Sequence, residues 1–292
     1  MIVSKIGFIG FGEVGSVFIG AMAASGADVV VYDILLEDQE QTDALIRKTG
    51  EAGCRLGTLR EVLLHADTIL SAVTTQAAKK VAETCAPLLR QGQIYVDLNS
   101  TSPSVKVGIG AVIDGSEADF VEGSILGAVG ATGAGTRILM GGRRAQEVAD
   151  SLSGLGLNAS FYSHEIGKAS AFKMLRSIFS KGVEILLLEM LVAGRRAGID
   201  GDLWKDISGF MDSRPFEAIG SNWVRSHAVA HERRYYEMLQ VVETMREMGV
   251  EPVITEGTLA VFRRSLDMEM GDAFRERPDT MDAVIEFIEG RV

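Results

Sequence analysis

Apolar and polar positions along this chain follow two different periods, and the switch between them divides it. Residues 2 to 9 (I-V-S-K-I-G-F-I) read as a buried strand, G-F-G-E-V-G follows at 10 to 15, a small-residue helix runs through Ala24, and Ala27 to Tyr32 is the next strand. The rhythm continues with a helix (Asp38 to Lys48), a short strand (Cys54 to Leu56), a helix (Thr58 to His65), a strand (Thr68 to Val73), a helix (Gln76 to Leu89) and a strand (Gln93 to Leu98). After one more helix, strands are expected around Phe120, at Arg137 to Met140 and at Leu157 to Tyr162. Such β-α-β alternation calls for an α/β fold with a doubly wound parallel sheet. From about Ser163 helical periodicity takes over with few turn signals, so an all-α C-terminal domain is expected, with domains at 1–163 and 164–292.

In the second part, Phe172, Leu175, Phe179, Leu186 and Met190 recur at helical spacing, and the stretch turns apolar all round after Val183, as in a helix buried within a domain or a subunit interface. Lys173, Arg176, Ser177, Ser180 and Glu184 fall on its other face. That much apolar surface in a small helical domain needs more cover than its neighbours provide, which predicts a homodimer.

Composition narrows the class. With 47% hydrophobic and 24% charged residues the chain has a globular balance, and most of its 33 glycines lie before residue 160 among short Val/Ile/Leu runs, which supports strands and tight turns there. A net charge of −11 without a large basic block argues against nucleic acid or an anionic membrane as partner. Cys54 and Cys85 have neither paired spacing nor a neighbouring His cluster, so no disulfide framework and no metal site is indicated. The strand at the very N-terminus leaves no room for a signal peptide. The longest apolar run, Ile185 to Ala193, is broken by Glu189 and falls short of the about 20 residues a membrane span needs. A cytoplasmic protein without a membrane partner is expected.

The candidate chemistry starts at the glycines. A lone G-x-G-x-x-G is a weak signal, but here a strand precedes it, a helix follows it, and an acidic residue closes the next strand. Gly10 permits the tight turn, Gly12 lets backbone approach a pyrophosphate, and Gly15 lets helix and strand pack closely, which is the Rossmann dinucleotide fingerprint. Asp33 is spaced to accept hydrogen bonds from adenosine ribose hydroxyls and would repel the 2′-phosphate of NADP, so NAD is the expected cofactor. NADP stays open if Arg47 or Lys48 folds back to offset Asp33. The strands ending at Val73-Thr74-Thr75 and Asn99-Ser100-Thr101 should line the ligand crevice, which lies at the carboxyl ends of strands in such sheets. Hydroxyl-rich turns are also ordinary helix caps, and Ser102-Pro103 starts a helix unaided, so both readings of Ser100 stand.

Four stretches together resemble the β-hydroxyacid dehydrogenase family, which includes phosphogluconate and 3-hydroxyisobutyrate dehydrogenases: G-F-I-G-F-G-E-V-G at 7 to 15, D-L-N-S-T-S-P at 97 to 103, G-A-V-G-A-T-G-A-G-T-R-I-L-M-G-G at 127 to 142, and I-G-K-A-S-A-F-K at 166 to 173. Their order and spacing carry the resemblance over about residues 4 to 190. It implies a cofactor set of Gly10, Phe11, Gly12, Glu13, Val14, Gly15, Asp33, Val73, Thr74 and Thr75. It also implies that Lys173 corresponds to the family's catalytic lysine, that Asn99, Ser100 and Thr101 contact a small anionic substrate, and that the loop near Gly127 shapes its pocket. A neutral amine can take a hydroxyl proton as hydride leaves for the nicotinamide, and its ammonium can return one in reduction. From periodicity alone Lys173 is a solvated helix lysine.

Two departures limit the carry-over. Leu126-Gly127-Ala128 stands where members have Ser-Gly-Gly, and Arg176 stands where they have Asn. Arg176, one turn beyond Lys173 and next to Ser177, either binds a substrate carboxylate or phosphate or pairs with a neighbour such as Glu184. The C-terminal part resembles a less characterised, phosphogluconate-dehydrogenase-like branch, with H-A-V-A-H-E-R-R-Y-Y-E-M at 227 to 238. His227, His231 and Arg234 share a helix face there and either meet an anionic substrate or form a polar surface stripe. The reading is an NAD(P)-dependent oxidoreductase of a small hydroxy- or oxo-acid. Its rivals are an imine reductase on the same scaffold, which resembles relatives that usually lack the lysine, and a nucleotide-binding regulator that has lost catalysis.

Overall fold

Strands form where apolar side chains can be buried on both sides of the backbone. In a computed structural model, which describes residues 4–292, Ile6 and Phe8 of the first strand join one buried cluster and Ile9 joins a second. In the next strand Val29 and Val31 join the first cluster and Val30 the second. Successive strand residues face opposite ways, so the two clusters are the two faces of one sheet. Of the strand expected at 2 to 9, Lys5–Ile9 is a strand and Ser4 precedes it; residues 2 and 3 lie outside the described residues.

The elements follow in the order β1 (Lys5–Ile9), α1 (Glu13–Ala24), β2 (Asp28–Tyr32), α2 (Gln39–Glu51), β3 (Arg55–Leu56), α3 (Leu59–His65), β4 (Thr68–Ser71), α4 (Ala78–Cys85), β5 (Ile94–Asp97), α5 (Pro103–Asp114), β6 (Asp119–Ile125), α6 (Val129–Thr132), β7 (Ile138–Gly141), α7 (Ala145–Gly154) and β8 (Ala159–Ser163). Helices α8 (Lys168–Ala197), α9 (Asp200–Asp212), α10 (Phe216–Glu247), α11 (Val253–Asp267), α12 (Met270–Ala273) and α13 (Met281–Glu289) complete the chain. The fold is therefore the doubly wound α/β sheet followed by an all-helical region. The sheet order is β3-β2-β1-β4-β5-β6-β7-β8, parallel throughout except for the antiparallel β6–β7 pair. The strand order reverses between β1 and β4, and a crevice opens at their carboxyl ends.

Two compact units result, Met1–Ser177 and Ile178–Val292, with the division inside α8. The first turn of α8 is held in the first unit by β6: the Glu122 carboxylate accepts hydrogen bonds from the N–H groups of Gly167 (2.7 Å) and Ala169 (3.1 Å). In the second unit Ala228, Met270 and Val284 are fully buried, with Val224, Phe274, Phe287 and Ile288 packed around them. Glu189, the charge that interrupts the apolar run of α8, accepts hydrogen bonds from the N–H groups of Ile254 (2.8 Å) and Thr255 (2.9 Å) and from the Thr255 hydroxyl (2.6 Å). It thus supplies the N-terminal acceptor that Pro252, at the cap position of α11, cannot. No helix among the described residues is long and apolar enough to cross a membrane.

Candidate functional site

The turn between β1 and α1 needs glycine at fixed positions. Gly10 has φ +97°, and a Cβ there would lie 2.3 Å from the Ala72 carbonyl oxygen; a Cβ on Gly15 would lie 2.3 Å from the Gly10 carbonyl oxygen. A Cβ on Gly12 would meet nothing within 4 Å, because it would enter open space in front of the turn. Among the described residues no side chain caps the N-terminus of α1, which leaves its first N–H groups available to an acceptor. Asp33, following β2, accepts hydrogen bonds from the N–H groups of Phe11 (2.6 Å) and Leu35 (2.9 Å). Each of its oxygens keeps acceptor capacity for a further donor. Beyond it, Ile34 and Leu35 are exposed, and Glu37 accepts a hydrogen bond from the Tyr32 hydroxyl (2.7 Å). Partial burial and Glu37 push the Tyr32 phenol up to about 12, so it stays protonated.

Beside this turn lies a cleft of about 450 Å³ whose lining includes Glu13, Val14, Val73, Thr74, Thr75, Asn99, Ser100, Gly127 and Lys173. Glu13 and Lys173 are its charged lining residues, and Leu98, Ile125, Ala128 and Val129 give it an apolar wall. The half-buried Lys173 donates a hydrogen bond to the Ser100 hydroxyl, which joins α8 to the turn after β5. The turns after β4 and β5 are tied together as well. The Asn99 side-chain oxygen accepts from the Val73 N–H (2.6 Å), and the Thr75 hydroxyl donates to the Ser100 carbonyl (3.2 Å).

Other expected residues sit differently. Gly10, Phe11, Gly12, Gly15 and Asp33 form the turn beside the cleft rather than its lining. Thr101 is buried, and its hydroxyl has no hydrogen-bond partner among the described residues. Ser177 donates to the Lys173 carbonyl (3.0 Å), a bond within its own helix, and Arg176 is exposed one turn past the lysine. His231, in the second unit, is buried with Nδ1 against the backbone carbonyls of His227 (3.2 Å) and Ala228 (3.1 Å). His227 Nε2 contacts the Ser265 hydroxyl at 2.8 Å. Burial, reinforced by His231 and Arg234, pulls the His227 pKa down to about 4, so this ring is neutral at physiological pH.

Sequence reasoning missed three charged residues beneath the cleft. Asp97, Lys106 and Glu122 are each 0% exposed. Lys106 Nζ lies 2.9 Å from Asp97 Oδ2 and donates to the carbonyls of Asp97 (2.7 Å) and Gly123 (3.3 Å). The available signal was a charge set in each of three otherwise apolar runs: I-Y-V-D-L, S-V-K-V-G-I and F-V-E-G-S-I.

Residues 5–157 match the family described as the NAD binding domain of 6-phosphogluconate dehydrogenase, and residues 195–265 match a domain of unknown function (DUF1932). A solved conserved protein of unknown function, described as structurally similar to 3-hydroxyacid dehydrogenases, is 31% identical with a TM-score of 0.61, over 92% of this chain and 97% of that one. The 2-(hydroxymethyl)glutarate dehydrogenase of Eubacterium barkeri is 23% identical over 73% of this chain and 70% of its own. An imine reductase variant from Myxococcus stipitatus, solved with NAD+, shares the fold at a TM-score of 0.79 and 18% identity, over 99% of this chain and all of its own (100%).

Proposed function

Because the chain belongs to the family of the NAD binding domain of 6-phosphogluconate dehydrogenase, we propose that it is a nicotinamide-dependent oxidoreductase acting on the CH–OH/C=O couple of a small hydroxy- or oxo-acid, with Lys173 as general acid and base. The observation that carries this reading is the Lys173–Ser100 hydrogen bond, set in the same cleft as Glu13 and Val14 of the glycine turn.

The residues present fit a dinucleotide. The open space before Gly12, the uncapped start of α1 and the acceptor capacity of Asp33 suit a diphosphate and an adenosine ribose respectively. A bound nicotinamide supplies the hydride acceptor or donor. Among the two cofactors we assign NAD. Asp33 is held by two backbone N–H groups, and the segment after it is apolar (Ile34, Leu35) or acidic (Glu37), so a 2′-phosphate would be repelled by the Asp33 carboxylate and gain no cation from residues 34 to 37.

In oxidation, neutral Lys173 takes the proton of the substrate hydroxyl as hydride leaves the carbinol carbon. In reduction, its ammonium returns a proton to the carbonyl oxygen. Ser100, which accepts from the lysine, orients the amine and offers its own O–H to the substrate oxygen. We assign Arg176 and Ser177, one helical turn beyond the lysine, to the substrate acid group, because a guanidinium binds a carboxylate or phosphate through two parallel hydrogen bonds. The exposed apolar side chains of the second unit support a homodimer. The two free cysteines suit the reducing cytoplasm; burial raises both, to about 11 for Cys54 and about 12 for Cys85.

The test is an absorbance screen over hydroxyacids and sugar acids with NAD and NADP, followed by Lys173→Met on any substrate found. Turnover should fall by roughly 10²- to 10⁴-fold while NAD binding stays within twofold. Undiminished turnover in the variant would remove the lysine from the mechanism, and an intact NAD site with no turnover in the wild type would favour a regulatory protein.

A further inference from the structure

Two carboxylates stand side by side under the cleft. Asp97 and Glu122 are register partners on the parallel strands β5 and β6, so their side chains leave the same face of the sheet from backbones about 4.8 Å apart. Like charges in that arrangement repel, and both are fully buried. The counter-charge comes from Lys106, whose side chain on α5 reaches the two strand ends through the Asp97 carboxylate and the carbonyls of Asp97 and Gly123. Burial holds the lysine pKa below its ordinary value, and the attraction of Asp97 and Glu122 opposes that shift.

Each carboxylate carries one half of the Lys173–Ser100 contact. Asp97 Oδ1 accepts from the backbone N–H of Asn99 (3.2 Å) and from its side-chain amide, which fixes the residue before Ser100 and the amide that holds Val73. Glu122 Oε1 accepts from Gly167 and Ala169 at the start of α8, six and four residues before Lys173. Its other oxygen is buried without a hydrogen-bond partner among the described residues. Gly141 leaves room for this carboxylate, since a Cβ there would lie 2.6 Å from Oε1.

We infer that Lys106 is a positioning residue: with Asp97 and Glu122 it forms a buried clamp that sets the distance between the Lys173 amine and the Ser100 hydroxyl. The inference rests on the proposed role of Lys173 for its effect on turnover, but the clamp itself is readable without turnover. A salt bridge serving stability alone would be matched in function by any fold-preserving neutral replacement. A clamp that sets geometry would not, since a displacement of about 1 Å at a reacting group costs roughly 100-fold in rate.

The experiment uses the full chain with Lys106→Met and, separately, Glu122→Gln. The second keeps side-chain volume and the Asp97–Lys106 pair but removes the charge that Lys106 balances and puts an amide donor where the unpartnered oxygen lies, so it decides the matter even where the first fails to fold. Three quantities are read: the rate of Lys173 modification by an amine reagent, followed by mass spectrometry against exposed Lys205; the Kd for NAD; and kcat and KM on any substrate found. The expected result is a change of at least fivefold in Lys173 labelling and a fall in kcat of about 100-fold for Lys106→Met, with the Kd for NAD within twofold. Glu189→Gln, which weakens the second unit instead, is the control for lost stability and should leave Lys173 labelling unchanged. Folded Glu122→Gln with wild-type Lys173 labelling overturns the clamp. A wild type inactive on every substrate sinks the oxidoreductase reading, while the labelling result still decides the inference.

Discussion

Two glycines of one turn meet different physical demands, and substitutions can separate them. Gly15 has the Gly10 carbonyl where its Cβ would go, an atom of the backbone that cannot rotate away. Gly15→Ala therefore should destabilise the first unit by roughly 1–3 kcal/mol, in the range of overpacking, and lower Tm. Gly12 has open space, so Gly12→Val should leave Tm within a degree or two and abolish NAD binding, because the added methyls occupy the volume in front of the α1 N–H groups. Thermal melts with and without NAD check both, and a Gly12→Val protein that binds NAD with wild-type affinity would move the diphosphate elsewhere. This turn was legible in the sequence because close approach and positive φ demand one residue type at fixed offsets. The Asp97–Lys106–Glu122 group was not. Its members lie 9 and 25 residues apart from one another in the relevant pairs, and they meet only because β5 and β6 pair in one register and α5 turns Lys106 inward. Neither fact has a local signature.

At the level of elements, hydrophobic periodicity located every strand and the helices up to α5, whereas α6, α7 and most helices of the second unit were foreseen only as a helical region, and element ends were also where it failed. The helix expected over Gln76 to Leu89 is α4 at Ala78–Cys85 followed by a 3₁₀ turn at Ala86–Leu88, since Pro87 cannot donate to the preceding turn. The helix expected from Asp38 begins one residue later because Asp38 is its cap and accepts from the Glu40 N–H (3.0 Å). Glu189 shows the limit of such reading: along the chain it is a blemish in an apolar run, but in the fold it caps α11 from 65 residues away. Partial burial raises its pKa, yet the bonds from the Thr255 hydroxyl and the backbone N–H groups at the start of α11 outweigh this and hold it below the usual glutamate value. A depressed carboxyl contributes stability above its unfolded pKa, about 4.3, and loses that contribution as pH falls through the folded value. Glu189→Ala should thus cost about 1–2 kcal/mol at pH 7. The Tm gap between wild type and variant should close below about pH 4, and a gap that persists there would mean that packing, not the carboxylate, is responsible.

For the whole molecule, the second unit buries little in its own interior, with Ala228, Met270 and Val284 at its centre. Meanwhile Ile178, Phe179, Leu186 and Leu188 of α8, Trp204 of α9 and Trp223 of α10 stand exposed, Ile178 at 71%. Large contiguous apolar patches are rare on monomers, where a few hundred Å² is typical, and a second copy of the same chain would present the same side chains at equal concentration. The sequence already pointed this way, since α8 is apolar all round after Val183 and a helix of that kind must be covered on every side. Sedimentation at micromolar concentration should therefore give twice the chain mass. Leu186→Glu and Leu188→Glu replace exposed apolar side chains on one helix without touching the Glu189 cap. If that surface is the centre of the interface, each should weaken association by about 2 kcal/mol, or roughly 30-fold in the dimer Kd. Such variants should shift the concentration at which dimers form upward by roughly 30-fold, with an unchanged affinity for NAD, because the glycine turn and Asp33 belong to the other unit. A wild type that sediments as a monomer, or variants that associate as tightly as the wild type, would leave this face to some other cover.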